Sequence, residues 1–146
     1  MSLTEYTLTI EAPTIIQIPE QETRNLKDLD LYDFDDRYVA TKNGDVYRVK
    51  GRKYGMLDVV KMSPYQTRDK YIEFVLTTKK GLKKHIQAQR IIAYLFLTPD
   101  VTRKYVNHKD GNRTNNHVDN LEFVTHSENI THSWRYLRNN PNVKRW

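Results

Sequence analysis

The chain of 146 residues contains no cysteine. Disulfide bonds and thiolate zinc sites are therefore excluded, so any metal ion must be held by nitrogen and oxygen ligands. No apolar run approaches the roughly 20 residues that a membrane-spanning helix needs. The opening stretch MSLTEYTLTI lacks the cationic start and apolar block of a secretory signal, so we expect a cytoplasmic protein.

Charge is distributed unevenly, although the net charge is only +6. Residues 1–36 carry nine acidic and two basic residues, whereas residues 37–90 carry fourteen basic and four acidic ones. Residues 91–146 carry eight basic and five acidic residues. A basic stretch interleaved with aromatics, such as YRVKGRKYG, is typical of a surface that follows phosphates. The alternative is a solvated, lysine-rich face of a sheet.

Changes in charge and in the spacing of apolar residues divide residues 1–98 into two segments. Residues 1–36 form an acidic arm, with one or two short strands and a polar linker. The arm either folds over the basic sheet and competes with a nucleic acid, or joins two copies of the chain as a dimer arm. Residues 37–98 form a basic, β-rich module with a hairpin at Asn43-Gly44, the strongest short turn signal. This module ends in a short buried helix before Pro99.

Residues 99–146 predict a strand, a polar loop, a second strand and a helix. Tyr105-Val106 begins the first strand and Leu121–Val124 forms the second. Ser127 is a plausible N-cap of the helix, and Pro141 lies beyond its end. The result is a ββα unit of about forty residues. Its loop is rich in histidine and asparagine.

The sequence VNHKDGNRTNN…DNLEFVT…EN resembles the HNH endonucleases, in particular the phage-type homing and free-standing members. The match runs from about Tyr105 to His132. Upstream, YVATKNGDVYRV and QAQRIIAYLFL are similar to the small β module that often precedes the nuclease. The resemblance implies an α+β fold in which a small antiparallel β module is followed by a ββα-metal (His-Me finger) unit.

The resemblance also implies a function. We expect a metal-dependent endonuclease that nicks or cuts double-stranded DNA, with Mg²⁺ or Mn²⁺ as cofactor. If the chain is phage-encoded, the location is the cytoplasm of a bacterial host. One alternative is a DNA-binding protein whose nuclease motif has decayed, and another is a structural protein with a polar surface loop. Monomer and dimer both remain open.

By the same resemblance, five residues form the active site. His108 is the general base, because a neutral imidazole accepts a proton near pH 7. Asn120, twelve residues later, holds the loop in place, and Asn129, twenty-one residues later, binds the metal through its amide oxygen. Asn107 stands where an acidic ligand is common, so it would bind a metal without supplying negative charge. His132, one helical turn after Asn129, is a further ligand, a phosphate contact or a surface residue.

Basic residues are expected to bind the DNA backbone. Lys109 and Arg113 flank the loop, and Arg135 and Arg138 lie on the final helix. The remaining DNA contacts are expected upstream, at Arg48, Arg52, Lys53, Lys83, Lys84 and Arg90.

Overall fold

The computed structural model describes residues 14–139, apart from the side chains of Ser133 and of residues 135–139. Ten strands and two helices occur in this range. The strands are β1 (Ile15–Pro19), β2 (Thr23–Asn25), β3 (Tyr38–Thr41), β4 (Val46–Lys53), β5 (Met56–Lys61), β6 (Tyr65–Gln66), β7 (Ile72–Thr77), β8 (Lys83–Gln87), β9 (Tyr105–His108) and β10 (Leu121–Val124). The helices are α1 (Ala88–Phe96) and α2 (His126–Asn139), and single 3₁₀ turns occur at Glu20–Glu22, Leu26–Asp28 and Val118–Asn120.

The strands form three antiparallel sheets. Five strands pair in the order β1-β5-β4-β3-β2, three in the order β6-β7-β8, and β9 pairs with β10. The α+β class expected from the sequence, with a β module before a ββα unit, is therefore confirmed. The described residues include no helix that is long and apolar enough to cross a bilayer.

The β3–β4 hairpin turns at Asn43-Gly44, as the sequence predicts. Gly44 has a φ of +99°, a conformation that glycine adopts without steric cost. The short helix α1 also forms where the apolar spacing places it. Its buried residues include Ile91 and Ile92, which are fully shielded from solvent.

The expectation of a polar linker in the acidic arm is wrong for its described part. β1 and β2 form the two edges of the five-stranded sheet. Leu26 and Leu29 lie in the main hydrophobic core, with 0% and 1% of their surface exposed. Arg24 donates a hydrogen bond of 2.6 Å to the carbonyl oxygen of Leu95, which ties the arm to α1. Leu26 and Leu29 lie in a polar, charged stretch, and no helical or strand period marks them as core.

Helix α2 begins at His126, two residues before the start that a cap at Ser127 predicts. Thr125, rather than Ser127, caps it, because Thr125 Oγ1 accepts a hydrogen bond of 3.1 Å from the backbone N–H of Glu128. Glu128 Oε1 in turn accepts one of 3.0 Å from the backbone N–H of Thr125. This reciprocal arrangement is a capping box, whose T-x-x-E spacing is visible in the sequence.

Candidate active site

His108 is the last residue of β9, where the chain leaves the ladder and enters the polar loop. Its side chain is buried, with 5% of the residue exposed. Its Nε2 lies 2.8 Å from Oδ1 of Asn116, eight residues further along the loop. The carbonyl oxygen of His108 accepts a hydrogen bond of 3.0 Å from the N–H of Gly111, which closes the turn after the strand. The imidazole is therefore held by both its backbone and its ring.

The environment of His108 favours the neutral imidazole. Burial lowers its pKa below the ordinary value of 6.5, and the nearby charge of Arg113 lowers it further. The hydrogen bond with Asn116 and the charge of Asp110 oppose this shift but do not reverse it. A histidine that is neutral below pH 6.5 can accept a proton over the whole physiological range.

The β6–β7 connection forms a wall beside His108. The ring of Tyr71 lies 6.3 Å from the imidazole, centroid to centroid, at an angle of 37°. The guanidinium of Arg113 lies over the Tyr71 ring, 4.6 Å from its centre. Arg113 also donates a hydrogen bond of 2.7 Å to the carbonyl oxygen of Asp69. Arg113, predicted to contact DNA, is thus engaged within the protein, and Tyr71 is a residue that the sequence pattern did not indicate.

Asn120 links residues 109, 110 and 115 of the loop through hydrogen bonds. Its Nδ2 donates to Oδ1 of Asp110 and to the carbonyl oxygen of Asn115, both at 2.9 Å. Its Oδ1 accepts from the N–H of Asp110 at 3.1 Å. Its carbonyl oxygen accepts a hydrogen bond of 2.7 Å from the N–H of Lys109, which continues the β9–β10 ladder past His108. Asn120 acts on the loop and does not touch the imidazole.

The β3–β4 turn packs against the polar loop. A Cβ atom added at Gly44 would lie only 3.0 Å from Cβ and from the carbonyl oxygen of Asn116. Next to this contact, the N–H of Val118 donates a hydrogen bond of 2.8 Å to the carbonyl oxygen of Lys42. Asn116, the partner of His108, is therefore packed against the β module.

Asn107 faces Glu122 across the two-stranded sheet. The two residues are directly paired in the β9–β10 register. Nδ2 of Asn107 donates a hydrogen bond of 3.1 Å to Oε1 of Glu122. Asn107 is 7% exposed, and Glu122 is half-buried.

Helix α2 crosses beside β9 and brings two more predicted residues to the site. The ring of its first residue, His126, contacts that of Tyr105, with centroids 5.5 Å apart and an angle of 48° between the planes. Two turns further on, Nε2 of His132 lies 3.1 Å from the carbonyl oxygen of Lys109. Asn129 lies between these contacts on the helix. Asn107 and His108 are thus the last two residues of β9, and Asn129 and His132 lie on the helix beside that strand.

The predicted DNA-binding residues are more widely spread. Six of the predicted DNA-binding side chains are exposed, at positions 48, 52, 53, 83, 90 and 109. The side chain of Lys84 is partly exposed. Arg52 forms an ion pair of 2.8 Å with Glu20 of the acidic arm. Lys84 lies over the ring of Tyr32, 5.9 Å from its centre. The predictions for Arg135 and Arg138 concern side chains outside the described part.

A scan against protein-family models matches residues 87–130 to the HNH endonuclease family. The resemblance read from the sequence is therefore confirmed over α1 and most of the ββα unit.

Two curated proteins are similar in sequence. L245 of Acanthamoeba polyphaga mimivirus, an uncharacterized HNH endonuclease, is 30% identical over 95 residues, which are 65% of this chain and 26% of that protein. YosQ, from the SPbeta prophage of Bacillus subtilis strain 168 and named as an HNH homing endonuclease, is 42% identical over 57 residues. That match covers 39% of this chain and 32% of YosQ. The chain thus spans about a quarter to a third of these relatives.

Among solved structures, that of the HNH homing endonuclease I-HmuI has a similar fold. That structure concerns DNA binding and cleavage by I-HmuI. The TM-score is 0.62 at 23% sequence identity, and the match covers 85% of this chain and 62% of the other. At this identity the similarity extends to the fold alone.

Proposed function

We propose, from the HNH endonuclease segment at residues 87–130, that this protein is a metal-dependent endonuclease that hydrolyses DNA phosphodiester bonds. The observation that carries the proposal is the buried imidazole of His108, which stands at the end of β9 with its Nε2 on Asn116. His108 is the general base that takes a proton from the attacking water.

The contact with Asn116 selects the basic nitrogen. An amide oxygen only accepts hydrogen bonds, so Oδ1 of Asn116 at 2.8 Å requires the proton of His108 to reside on Nε2. The lone pair is then on Nδ1, which is the atom that accepts the proton of water. The lowered pKa of His108 keeps this lone pair available at neutral pH.

The residues around β9 fit a hard divalent cation. No group of three histidine, cysteine, aspartate or glutamate side chains suitable for a metal occurs within the described residues, so amide oxygens are the candidate ligands. Amide oxygens of Asn107 and Asn129 would hold Mg²⁺ or Mn²⁺, which prefer oxygen ligands. When bound, the ion would supply positive charge to the phosphate and its leaving oxygen. Since Nε2 of His132 contacts the carbonyl oxygen of Lys109, only its Nδ1 is left for the ion or a phosphate.

Exposed basic residues would bind the DNA backbone. Lys109 follows His108 directly, and its exposed ammonium group can reach a phosphate close to the base. Arg48, Lys53, Lys83 and Arg90 would add affinity that is independent of sequence. Each phosphate contact of this kind weakens as salt is raised, because protein binding releases counterions from the DNA and added salt opposes that release.

A second function, DNA binding without cleavage, is favoured by one observation. Asn107 is a neutral amide at a position where the resemblance leads one to expect an acid. A site that has lost its metal would still bind DNA through its basic residues.

Nicking of supercoiled plasmid DNA separates the two functions. We expect the wild-type chain to convert supercoiled DNA to the open-circle or linear form in Mg²⁺ or Mn²⁺, and to stop when EDTA is added. DNA binding, followed by fluorescence anisotropy in the same buffers, should persist in EDTA and weaken as salt is raised. Binding without nicking in any divalent metal would contradict the endonuclease proposal.

A further inference from the structure

We infer that Glu122 supplies the negatively charged ligand of the metal site, in the place left neutral by Asn107. The inference rests on the proposed function, since it concerns the same site. It explains how a site whose other candidate ligands carry no negative charge can hold a doubly charged cation.

The first observation is the contact between the two side chains. Asn107 and Glu122 are cross-strand partners, and Nδ2 of Asn107 lies 3.1 Å from Oε1 of Glu122. This hydrogen bond uses neither Oδ1 of Asn107 nor Oε2 of Glu122. Two oxygens from adjacent strands are therefore available side by side.

The second observation is the face of the sheet on which the pair lies. Alternate residues of a strand point to the same face, so Asn107 and Glu122 share a face with Tyr105. That face carries helix α2, because the ring of Tyr105 contacts that of His126. On the opposite face, Phe123 packs against Tyr94 of α1, with ring centroids 5.1 Å apart. The Glu122 carboxylate thus points to the face that carries Asn107 and helix α2, and away from the core.

The third observation is the level of Asn129 along the strand. Helix α2 is fixed to β9 at two points, by His126 on Tyr105 and by His132 on the carbonyl oxygen of Lys109. The six residues from 126 to 132 rise about 9 Å along a helix, and the four from 105 to 109 span about 13 Å along a strand. Asn129 is midway between the helical contacts, and position 107 is midway between the strand contacts. The helix therefore places Asn129 beside the Asn107–Glu122 pair.

The fourth observation concerns charge. Glu122 is half-buried, and it forms no ion pair with any residue whose side chain the structure describes. Its observed partner is a neutral amide, which does not compensate the charge. A partly desolvated carboxylate gains from a nearby cation. One carboxylate and two amide oxygens form an all-oxygen set of the kind that Mg²⁺ and Mn²⁺ bind.

A purely structural role for Glu122, as an acceptor for Asn107, predicts a different outcome on substitution. Glu122→Gln retains an oxygen at the same position and can still accept the hydrogen bond, but it removes the negative charge. The substitution therefore leaves the structural role intact and removes the proposed ligand charge.

The test is a calorimetric titration of the full chain with Mn²⁺ in the absence of DNA. We expect Glu122→Gln to weaken Mn²⁺ binding by at least about tenfold, since even partners that only orient metal ligands contribute 10-fold or more. The double variant Asn107→Asp with Glu122→Gln moves the carboxylate across the same pair and should restore most of the affinity. Glu73→Gln, on β7, removes a carboxylate from another sheet and should leave Mn²⁺ affinity unchanged.

Wild-type affinity in Glu122→Gln, or no saturable Mn²⁺ binding by the wild-type chain, would overturn the inference. Plasmid nicking measured on the same preparations keeps the two proposals apart. Nicking by the wild type with normal Mn²⁺ binding by Glu122→Gln overturns only the role of Glu122. Glu122-dependent Mn²⁺ binding without nicking overturns only the endonuclease function.

Discussion

At the scale of single residues, the orientation of the His108 ring depends on Asn116. The resemblance to HNH endonucleases predicts His108, Asn120 and Asn129 as site positions. The same reasoning misses the contact between Asn116 and the imidazole and the wall made by Tyr71. Both depend on how a polar loop folds back on the β module, which no period in the sequence describes.

Substituting Asn116→Asp should change the pH dependence of cleavage. The new carboxylate can still accept a hydrogen bond from Nε2–H of His108, and its negative charge raises the pKa of the ring by about one unit or more. Because the base must be neutral, the acidic limb of the kcat/KM profile should move to higher pH by the same amount. In the wild type the lowered pKa of His108 places that limb below pH 6.5. Nicking rates measured between about pH 5 and pH 8 give both profiles.

The control for this substitution is Asn112→Asp, which adds the same charge to the same loop. Oδ1 of Asn112 accepts hydrogen bonds from Thr114 rather than from His108. An equal shift of the acidic limb in Asn112→Asp would show that the effect is one of general charge and would contradict the orienting role of Asn116.

At the scale of elements, the β3–β4 turn connects the β module to the candidate active site. The sequence predicts this hairpin correctly from Asn43-Gly44, because the turn type is a local property. It does not predict that the turn packs against the loop more than seventy residues later. The start of α2 is also a local property. The T-x-x-E signal at Thr125 identifies it better than Ser127 does, because a capping box involves only residues that are close in sequence.

Gly44→Ala should reduce both stability and cleavage. A φ of +99° disfavours any side chain, and the added Cβ would lie 3.0 Å from Asn116, so the loop that holds His108 must shift. Gly81→Ala is a matched control, because Gly81 has a φ of +85° but no atom within 4 Å of an added Cβ. Both substitutions should lower the free energy of unfolding by about 1–2 kcal/mol for the left-handed backbone. Only Gly44→Ala should also slow nicking.

Urea unfolding and single-turnover nicking of the two glycine variants provide the comparison. Equal nicking rates for Gly44→Ala and Gly81→Ala would contradict a link between the hairpin turn and the site.

At the scale of the whole molecule, residues from all three predicted segments share the main hydrophobic core. Leu26 of the acidic arm, Phe74 of the β module and Leu121 of the ββα unit belong to the same cluster. Composition divides the chain by charge, and that division does not predict the packing of the arm into the core. The overall α+β class is predictable, because alternation and helical spacing are local, whereas the partner of each buried side chain is not.

Leu26→Ala should destabilise the protein by about 2–5 kcal/mol, the usual cost of a cavity at a fully buried leucine. Ile15→Ala in the same arm is the control, since 59% of Ile15 is exposed and little burial is lost. Urea unfolding followed by circular dichroism measures both. Equal destabilisation by the two substitutions would contradict the placement of the arm in the core.

The most direct test of the central claim is the nicking rate of His108→Ala in Mg²⁺ or Mn²⁺. Removal of the general base should slow cleavage by about 10²–10⁴-fold while DNA affinity stays close to that of the wild type. His85→Ala, a substitution on strand β8 outside the ββα unit, should cut at the wild-type rate. Cleavage by His108→Ala at the wild-type rate would contradict the assignment of His108 as the base.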